Sequence, residues 1–222
     1  MGRRWAALAF ASNLALASTA IAAEPSAEPG SSRDARTRRF ELSVGFSAQV
    51  VPSPFGVSSN AYSLGVWTLG ARISARWWMH EMLALELRAD LGAGKASVFL
   101  GSGESQSQRR GLGADLIFGL PTTLTPLAGL GVGWSSLHTD WDNVSAPCWF
   151  GACDSGPPES GKTATTTWLL TPMAGIAYGR GAVQGAMLFR AGLPVHRDTS
   201  GTNIRHGNGV VVDVELRVAA RF

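Results

Sequence analysis

The chain contains 222 residues, of which 45% are hydrophobic and 16% charged, with two cysteines. This length fits one domain or two small ones, the composition is too apolar for a disordered chain, and two cysteines cannot hold together a disulfide-dense miniature fold. The formal charge of +3 includes two arginines of a segment expected to be removed, which leaves 17 basic against 16 acidic residues. The charge therefore gives no reason to expect nucleic-acid binding.

The first 23 residues have the three parts of a secretory signal peptide. Arg3 and Arg4 form a basic start, an apolar stretch follows from Trp5, and small residues end the segment at Ala20–Ala23. Polar residues interrupt the apolar stretch and no basic flank follows it, which favours a cleaved signal over a permanent membrane helix. Residues 24–39 contain Pro, Gly, Ser and four arginines without apolar periodicity, which predicts a linker.

From Phe40 to Phe222, apolar residues recur at every second position. Eight runs show the alternation, beginning at Phe40, Trp67, Leu83, Gly111, Ala128, Thr167, Val183 and Val210. A period of two is that of a β-strand with one apolar face, whereas a helix would distribute charges such as those of Glu86, Arg88 and Asp90 around its circumference. The pattern predicts eight strands within residues 40–222.

The intervals between the runs alternate between short and long. Short turns are expected near residues 78–82, 121–123 and 179–181, and long loops at the opposite rim near residues 51–63, 95–109, 138–164 and 194–209. Aromatic residues of the apolar face fall toward both rims. Those toward the loops are Trp67, Trp134 and Trp168, and those toward the turns are Phe40, Trp77, Tyr178 and Phe222. They predict two aromatic girdles.

Composition indicates which face of the sheet points inward. The polar face is rich in small residues and carries both signs of charge, while the apolar face is large and ringed by aromatics, as in a barrel surrounded by lipid. In a bilayer every backbone polar group needs a partner, so spanning strands must close into a barrel. The sequence predicts an all-β fold, an eight-stranded antiparallel up-and-down transmembrane β-barrel. A soluble lipocalin-like carrier with the inverse orientation is the alternative.

Two segments resemble a known family. The segment Thr125–Gly133 looks like the Thr-Pro-x-x-Gly-x-Gly entry to a middle strand, and the final run, Val210–Phe222, ends in a terminal Phe. Both are similar to the eight-stranded outer-membrane β-barrels of Gram-negative bacteria, which include the OmpA transmembrane domain and OmpX-like proteins. The resemblance implies export to the outer membrane, with residues 24–39 in the periplasm, and implies outer-membrane lipid and the barrel assembly machinery as partners. By this resemblance, Phe222 is an assembly signal.

The alternation places ten charged residues inside the predicted barrel. They are Glu41, Arg72, Glu86, Arg88, Asp90, Asp115, Arg190, Asp213, Glu215 and Arg217. Side chains fill the lumen of a barrel of eight strands, so these six acids and four bases should pair and block it. A narrow or gated channel for small solutes is the alternative, because ion pairs can exchange partners.

Two prolines lie inside the predicted strands, where each removes a donor from the hydrogen-bond ladder. Pro126 is close enough to its turn to be tolerated. Pro172 predicts a bulge or an interruption in the sixth strand.

Several motifs invite a chemical function. Gly156–Thr163 matches the phosphate-binding P-loop, but the β-branched residues that follow make a poor helix, so nucleotide binding is not expected. None of the four histidines forms the His-x-Ser pair that the lipid A deacylase barrels would need on the apolar face, which makes a lipid-modifying enzyme the weakest alternative. His138, Asp140 and Asp142 are interpreted as a solvated loop rather than a metal site. We expect no catalytic residue, cofactor or metal.

The predicted loop 138–164 is the best candidate for a contact surface. Cys148 and Cys153 favour a local disulfide over free thiols or metal binding, because export leads to an oxidising compartment. Trp141, Trp149 and Phe150 are the candidate contact residues for an extracellular partner, unless they pack on the barrel rim or among lipid head groups. The expected function is structural or surface interaction.

Overall fold

The computed structural model describes residues 39–51, 63–98, 104–120, 122–144, 148–149, 152–153, 159–179, 182–201, 205–206 and 209–222. Arg38–Phe222 form one compact unit. The predicted signal peptide (1–23) and all but the last residue of the predicted linker (24–39) lie outside the described residues. In the described ranges, no helix is long and apolar enough to cross a membrane.

Eight long strands form a closed sheet. They are β1 (Phe40–Val51), β2 (Ser63–His80), β3 (Leu83–Val98), β4 (Glu104–Gly119), β5 (Leu124–Val144), β6 (Glu159–Tyr178), β7 (Val183–Gly201) and β8 (Val211–Arg221). Each strand pairs antiparallel with the next, and β1 pairs with both β2 and β8. Of the short segments, Cys148–Trp149 pairs with Ala152–Cys153, and Arg205–His206 runs parallel to the start of β2. The predicted eight-stranded barrel is confirmed.

The apolar side chains of the barrel face outward. On β3, for example, Leu91 is 64% exposed whereas its neighbours Asp90 and Gly92 face the lumen. Between the two predicted girdles, every outward-facing position of the described strands is uncharged. A soluble carrier would bury these residues and expose its charges, so the lipocalin-like alternative is wrong.

The outer apolar surface has the height of a bilayer core. Trp67 and Trp77 on β2 are separated by ten residues, as are Trp168 and Tyr178 on β6, and all four side chains are exposed. Ten residues extend about 33 Å along a strand, and the usual tilt of 35–45° reduces this to a height of about 25 Å. The predicted aromatic girdles therefore bound an apolar band of the expected size.

Pro172 does not produce a bulge. It pairs with Leu130 of β5 in unbroken register, and the ladder between β6 and β7 omits pairs only at Thr171 and Pro172 before continuing in the same register. The interruption is therefore confined to one side of β6, as expected when one donor is missing. The register shift lies opposite Trp168 and Leu169, where β7 contains Pro194 and the extra residue Val195.

We predict a depth-dependent cost for placing a charge on the outer face. Ile73 lies near the middle of the apolar band and is 60% exposed. Ile73→Arg should destabilise the barrel by about 2–4 kcal/mol, because the guanidinium would enter hydrocarbon, whereas Val195→Arg at the extracellular end should cost about 0–1 kcal/mol. Urea unfolding in phospholipid vesicles, followed by the gel mobility of unboiled samples, measures both. Equal costs for the two variants would contradict the assignment of this face to lipid.

Candidate functional site: the barrel interior and the extracellular extension

The lumen contains a balanced ionic network. Among the described residues, twelve charged side chains are buried, six carboxylates and six arginines. They are Glu41, Arg72, Arg76, Glu86, Arg88, Asp90, Arg109, Asp115, Arg190, Asp213, Glu215 and Arg217. All ten residues placed inside from the alternation are among them. Opposite charges in equal number can compensate one another where solvent cannot.

Glu86 lies at the centre of this network. Its carboxylate accepts hydrogen bonds from Arg76 at 2.7 Å, from Arg217 at 2.8 Å and from Arg190 at 3.2 Å. Arg76 is the directly paired neighbour of Glu86 on β2, whereas Arg190 of β7 and Arg217 of β8 reach Glu86 across the lumen. Arg190 also pairs with Glu215. Because Glu215 pairs with Arg72 as well, it connects the contacts of Glu86 with a second group of ions.

A second group lies farther toward the extracellular end. Arg72 pairs with Asp213 at 2.7 Å and with Glu215 at 2.9 Å. Arg109 pairs with Asp90 at 3.0 Å and donates a hydrogen bond to Ser47 at 2.7 Å. These contacts connect β1, β2, β3, β4 and β8 across the barrel.

Two of the six arginines were absent from the predicted set, and they correct its excess of acids. Arg76 lies on the polar side of the second run and was left out of the count. Arg109 was assigned to the loop at residues 95–109, whereas β4 begins at Glu104 and turns Arg109 inward. Gly111 and Asp115 face the lumen, and inward positions recur at every second residue of β4. Extending this alternation two residues back from Gly111 would have identified Arg109.

Buried apolar side chains form two clusters in the lumen, one on each side of the ions. Near the short turns, a buried cluster contains Ile117, Leu127, Met173, Ala177 and Leu188. At the opposite end, a second cluster contains Val51, Val66, Leu137, Trp141, Leu169 and Val211. The ionic network therefore lies between two apolar clusters along the barrel.

The space left among the ions is small. A cavity of about 30 Å³ is lined by Arg72, Asp90, Arg190 and Asp213, among other residues. Three of these side chains keep one buried polar atom without a protein hydrogen-bond partner, namely Nε of Arg72, Nε of Arg190 and Oδ1 of Asp213. A polar cavity of this volume holds one or two water molecules but no larger solute.

A latch of side chains joins the first and last strands at the turn end. Arg221 of β8 donates hydrogen bonds to Glu41 of β1 at 3.1 Å and to Gln184 of β7 at 2.8 Å. The guanidinium groups of Arg76 and Arg221 both lie over the ring of Trp78, each 5.6 Å from the ring centroid. These contacts stabilise the seam where the sheet closes, since a cation over an aromatic face is attracted to it.

Phe222 extends the same seam. Its amide donates to the carbonyl of Phe40 at 2.8 Å, and its side chain is 64% exposed on the outer face. The role of Phe222 as an assembly signal stays a prediction.

The strands continue well beyond the apolar band on the loop side, which corrects the predicted loops. Residues 95–98, 104–109, 138–144, 159–164 and 194–201 are strand rather than loop. β1 ends at Val51 and β8 begins at Val211, so the extension consists mainly of β4, β5, β6 and β7. The predicted periplasmic position of residues 24–39 puts this end of the barrel outside the cell, so we call these projecting parts the extracellular sheet.

Trp141 is not a surface residue. It is 2% exposed, faces inward between β4 and β6, and donates a hydrogen bond from Nε1 to Thr163 at 3.3 Å. The prediction of Trp141 as a contact residue is therefore wrong. β5 continues through this residue, and the alternation along the strand turns its side chain into the lumen. Trp149 lies in a two-residue strand at the tip, and Phe150 lies outside the described residues.

The edge of the extracellular sheet is protected against further pairing. In the described part of β7, residues after Gly192 pair with β6 but not with β8, whose ladder ends at Val211. Pro194, the bulge at Val195, and the charged Arg197 and Asp198 occupy this edge. Proline, bulges and charges are the devices by which sheet edges avoid uncontrolled association.

The histidines do not assemble a complete catalytic group in the described chain. Ser136 Oγ lies 3.1 Å from His138 Nε2, but no carboxylate there is hydrogen-bonded to His138, and Asp140 instead faces Lys162 at 3.8 Å. Nucleophile activation requires a base held by a third group. No cluster of three His, Cys, Asp or Glu side chains suited to a metal ion is found among the described residues.

Searches of protein-family models and of curated proteins give no match. Solved structures of similar fold include neisserial surface protein A, with 16% identity and a TM-score of 0.47 over 82% of this chain and 97% of that one. They also include Ail, the attachment invasion locus protein of Yersinia pestis, in complex with the heparin analogue sucrose octasulfate (12% identity, TM-score 0.50, 83% and 99% coverage). A third is the outer membrane protein OprG from Pseudomonas aeruginosa (13%, 0.50, 83% and 97%).

This chain has the fold of the eight-stranded outer-membrane β-barrels. The likeness is one of fold alone, since fewer than one residue in five is identical.

We predict that Glu86 stabilises the barrel through its three arginines. Glu86→Gln should lower the free energy of unfolding by about 3–5 kcal/mol, because it leaves buried guanidinium groups without their shared counter-charge. Asp140→Asn is the matched control, since it removes an exposed carboxylate that faces Lys162 at 3.8 Å, and it should cost less than about 1 kcal/mol. Urea unfolding in vesicles measures both variants, and similar values for the two would argue against a structural role for the network.

We predict a disulfide between Cys148 and Cys153. The ladder of the two short strands places these residues directly opposite each other, a position from which a disulfide can form. In protein recovered from the outer membrane, alkylation should label neither cysteine until a reductant is added. The variant Cys148→Ser should then expose one reactive thiol at Cys153. Labelling of both thiols without reductant would contradict the bond.

Proposed function

We propose that this barrel is an exported outer-membrane protein whose function is to present the extracellular sheet to partners outside the cell. One observation carries the proposal: the lumen is filled at three levels, while the strands extend far past the apolar band on one side. A barrel that has no open passage, but whose strands extend beyond the membrane at one end, is better suited to contact with partners than to transport. The comparisons are consistent with this, since neighbours of this fold include an attachment protein.

The location rests on the same features. The predicted signal peptide, Met1–Ala23, supports export, and the uncharged outer band supports insertion into a bilayer. A barrel of this size needs no further anchor. The tip that contains Trp149 and the predicted disulfide extends from the extracellular sheet and is the part we assign to partner contact.

Channel activity is the second candidate, and the polar cavity is the observation that favours it. The ions around the cavity could exchange partners and open a transient aqueous path. The two apolar clusters oppose this, since an ion loses hydration when it passes buried apolar side chains.

We predict adhesion without conductance. Cells that display the barrel should bind immobilised heparin and a cultured epithelial layer severalfold more than cells with an empty vector. Deletion of residues 145–158 should abolish the gain while unboiled gel mobility shows the barrel still folded. In planar bilayers the purified protein should give no discrete conductance steps. Discrete steps together with unchanged adhesion after the deletion would favour the channel instead.

A further inference from the structure

Two small cavities adjoin in the extracellular part of the lumen. The lower one is the cavity of about 30 Å³ among the ions described above. The upper one, of about 20 Å³, lies closer to the extracellular end, where its lining includes Thr165 and Arg197. Four residues line both cavities: Gln49, Ser135, Leu169 and Val211. We call the two cavities together the lumenal shaft.

The shaft leads toward the extracellular end of the barrel and stops short of the other end. Of the described residues that line it, none belongs to the apolar cluster near the short turns. The wall of the barrel is low beside the upper cavity, because β1 ends at Val51, β8 begins at Val211 and both residues line this cavity. Polar residues line it as well, so an entering ion keeps hydrogen-bond partners. They are Gln49, Ser135, Thr165, Thr167 and Arg197.

Arg197 faces the outer end of the shaft because of the bulge at Val195. Before the bulge, Arg190 and Gly192 of β7 face the lumen at even positions, and the extra residue moves the inward positions to odd ones. Arg197 is half-buried and donates a hydrogen bond from Nε to Thr167 of β6 at 3.2 Å, so its side chain points into the lumen. A positive charge at this place raises the local concentration of anions.

The buried ions have more unused hydrogen-bond donors than acceptors. In the described part of the lumen, six arginine nitrogen atoms have no hydrogen-bond partner in the protein, against three carboxylate oxygens. Two of these nitrogens, Nε of Arg72 and Nε of Arg190, belong to side chains that line the lower cavity, as does one of the oxygens, Oδ1 of Asp213. Arg88 and Asp90 line the same cavity, so three guanidinium groups face two carboxylates there. Buried polar groups need partners, and the missing partners are mainly acceptors.

We propose that the lumenal shaft binds one halide ion, such as chloride, which enters past Arg197 and accepts hydrogen bonds from Nε of Arg72 and Nε of Arg190. Hydrogen bonds to an ionised acceptor are stronger than neutral ones, and the negative charge offsets the third guanidinium of the lower cavity. A water molecule beside the halide donates to Oδ1 of Asp213, which supplies the partner that this oxygen lacks. The cavity excludes larger anions such as gluconate, because its volume is that of one or two water molecules.

The test measures the urea unfolding midpoint of the barrel in phospholipid vesicles while chloride replaces gluconate at constant ionic strength. Constant ionic strength leaves the screening of the ions unchanged, so an ion that binds only the folded state raises the midpoint. The midpoint of the wild type should rise with chloride concentration and reach a plateau. Crystals of the barrel grown in bromide should show an anomalous-scattering peak between Arg72 and Arg190.

Ser135→Val narrows the shaft where the two cavities meet, because it replaces a hydroxyl group with a second methyl group. This variant should lose about tenfold or more in apparent chloride affinity. Ser107→Val is the matched control, since Ser107 also faces the lumen, hydrogen-bonded to Thr139 at 2.8 Å, but does not line the shaft. Its chloride affinity should stay within about twofold of wild type. Arg197→Gln should weaken chloride binding less than Ser135→Val does, since it removes only the charge at the entrance.

Unboiled gel mobility verifies that every variant is folded before the titration. A wild-type midpoint that stays constant as chloride replaces gluconate would show that the shaft holds water alone, and would overturn the proposal. An unchanged chloride affinity in Ser135→Val, or an equal loss in Ser107→Val, would overturn it too, because the ion would then bind elsewhere. Bromide peaks only outside the lumen would have the same meaning.

Discussion

The constraint on which the structure depends is that no backbone N–H or C=O group can remain without a partner in hydrocarbon. A sheet meets this constraint only by closing, and the pairing of β1 with both β2 and β8 provides the closure. Once closed, alternate side chains must face lipid and lumen. In the strands that the structure describes, the lack of charge on the outer face between the girdles and the concentration of charge inside are two results of the same pleat.

The interior shows how a small barrel accommodates charges that its outer face excludes. Six carboxylates and six arginines compensate one another across the lumen, and apolar clusters lie on both sides of them. Breaking such a network leaves unpaired buried charge, so its members depend on one another more than residues in an ordinary core do. The packing that holds the wall together also removes the passage, which directs function to the outer and extracellular surfaces.

The barrel could be predicted from sequence wherever lipid lies on one side of the strand, because only there do apolar and polar residues alternate. Past the bilayer both faces become polar, and the contrast disappears. Residues 104–109 read as loop for this reason, although Ser107 and Arg109 continue the inward parity of Gly111. Trp141 was misplaced in the same way, since an aromatic in a polar stretch reads as exposed. The only feature of the sequence near Val195 that could indicate the bulge is the neighbouring Pro194. The partners of Glu86 could not be predicted, because Arg190 and Arg217 lie on strands far from it in the sequence.

The latch at the turn end has a consequence for biogenesis. Arg221 stands next to the end of the chain, yet it contacts Glu41 at the beginning of the first strand, and β8 supplies both carboxylates closest to Arg72. A nascent barrel that still lacked this last strand would keep Arg72 with Asp90 alone, at 3.6 Å, and would lack the Arg221 guanidinium over the indole of Trp78. The charges inside the barrel are therefore balanced only after β8 has joined the sheet. A truncated product would differ from the finished barrel in the exposure of its charges as well as in shape.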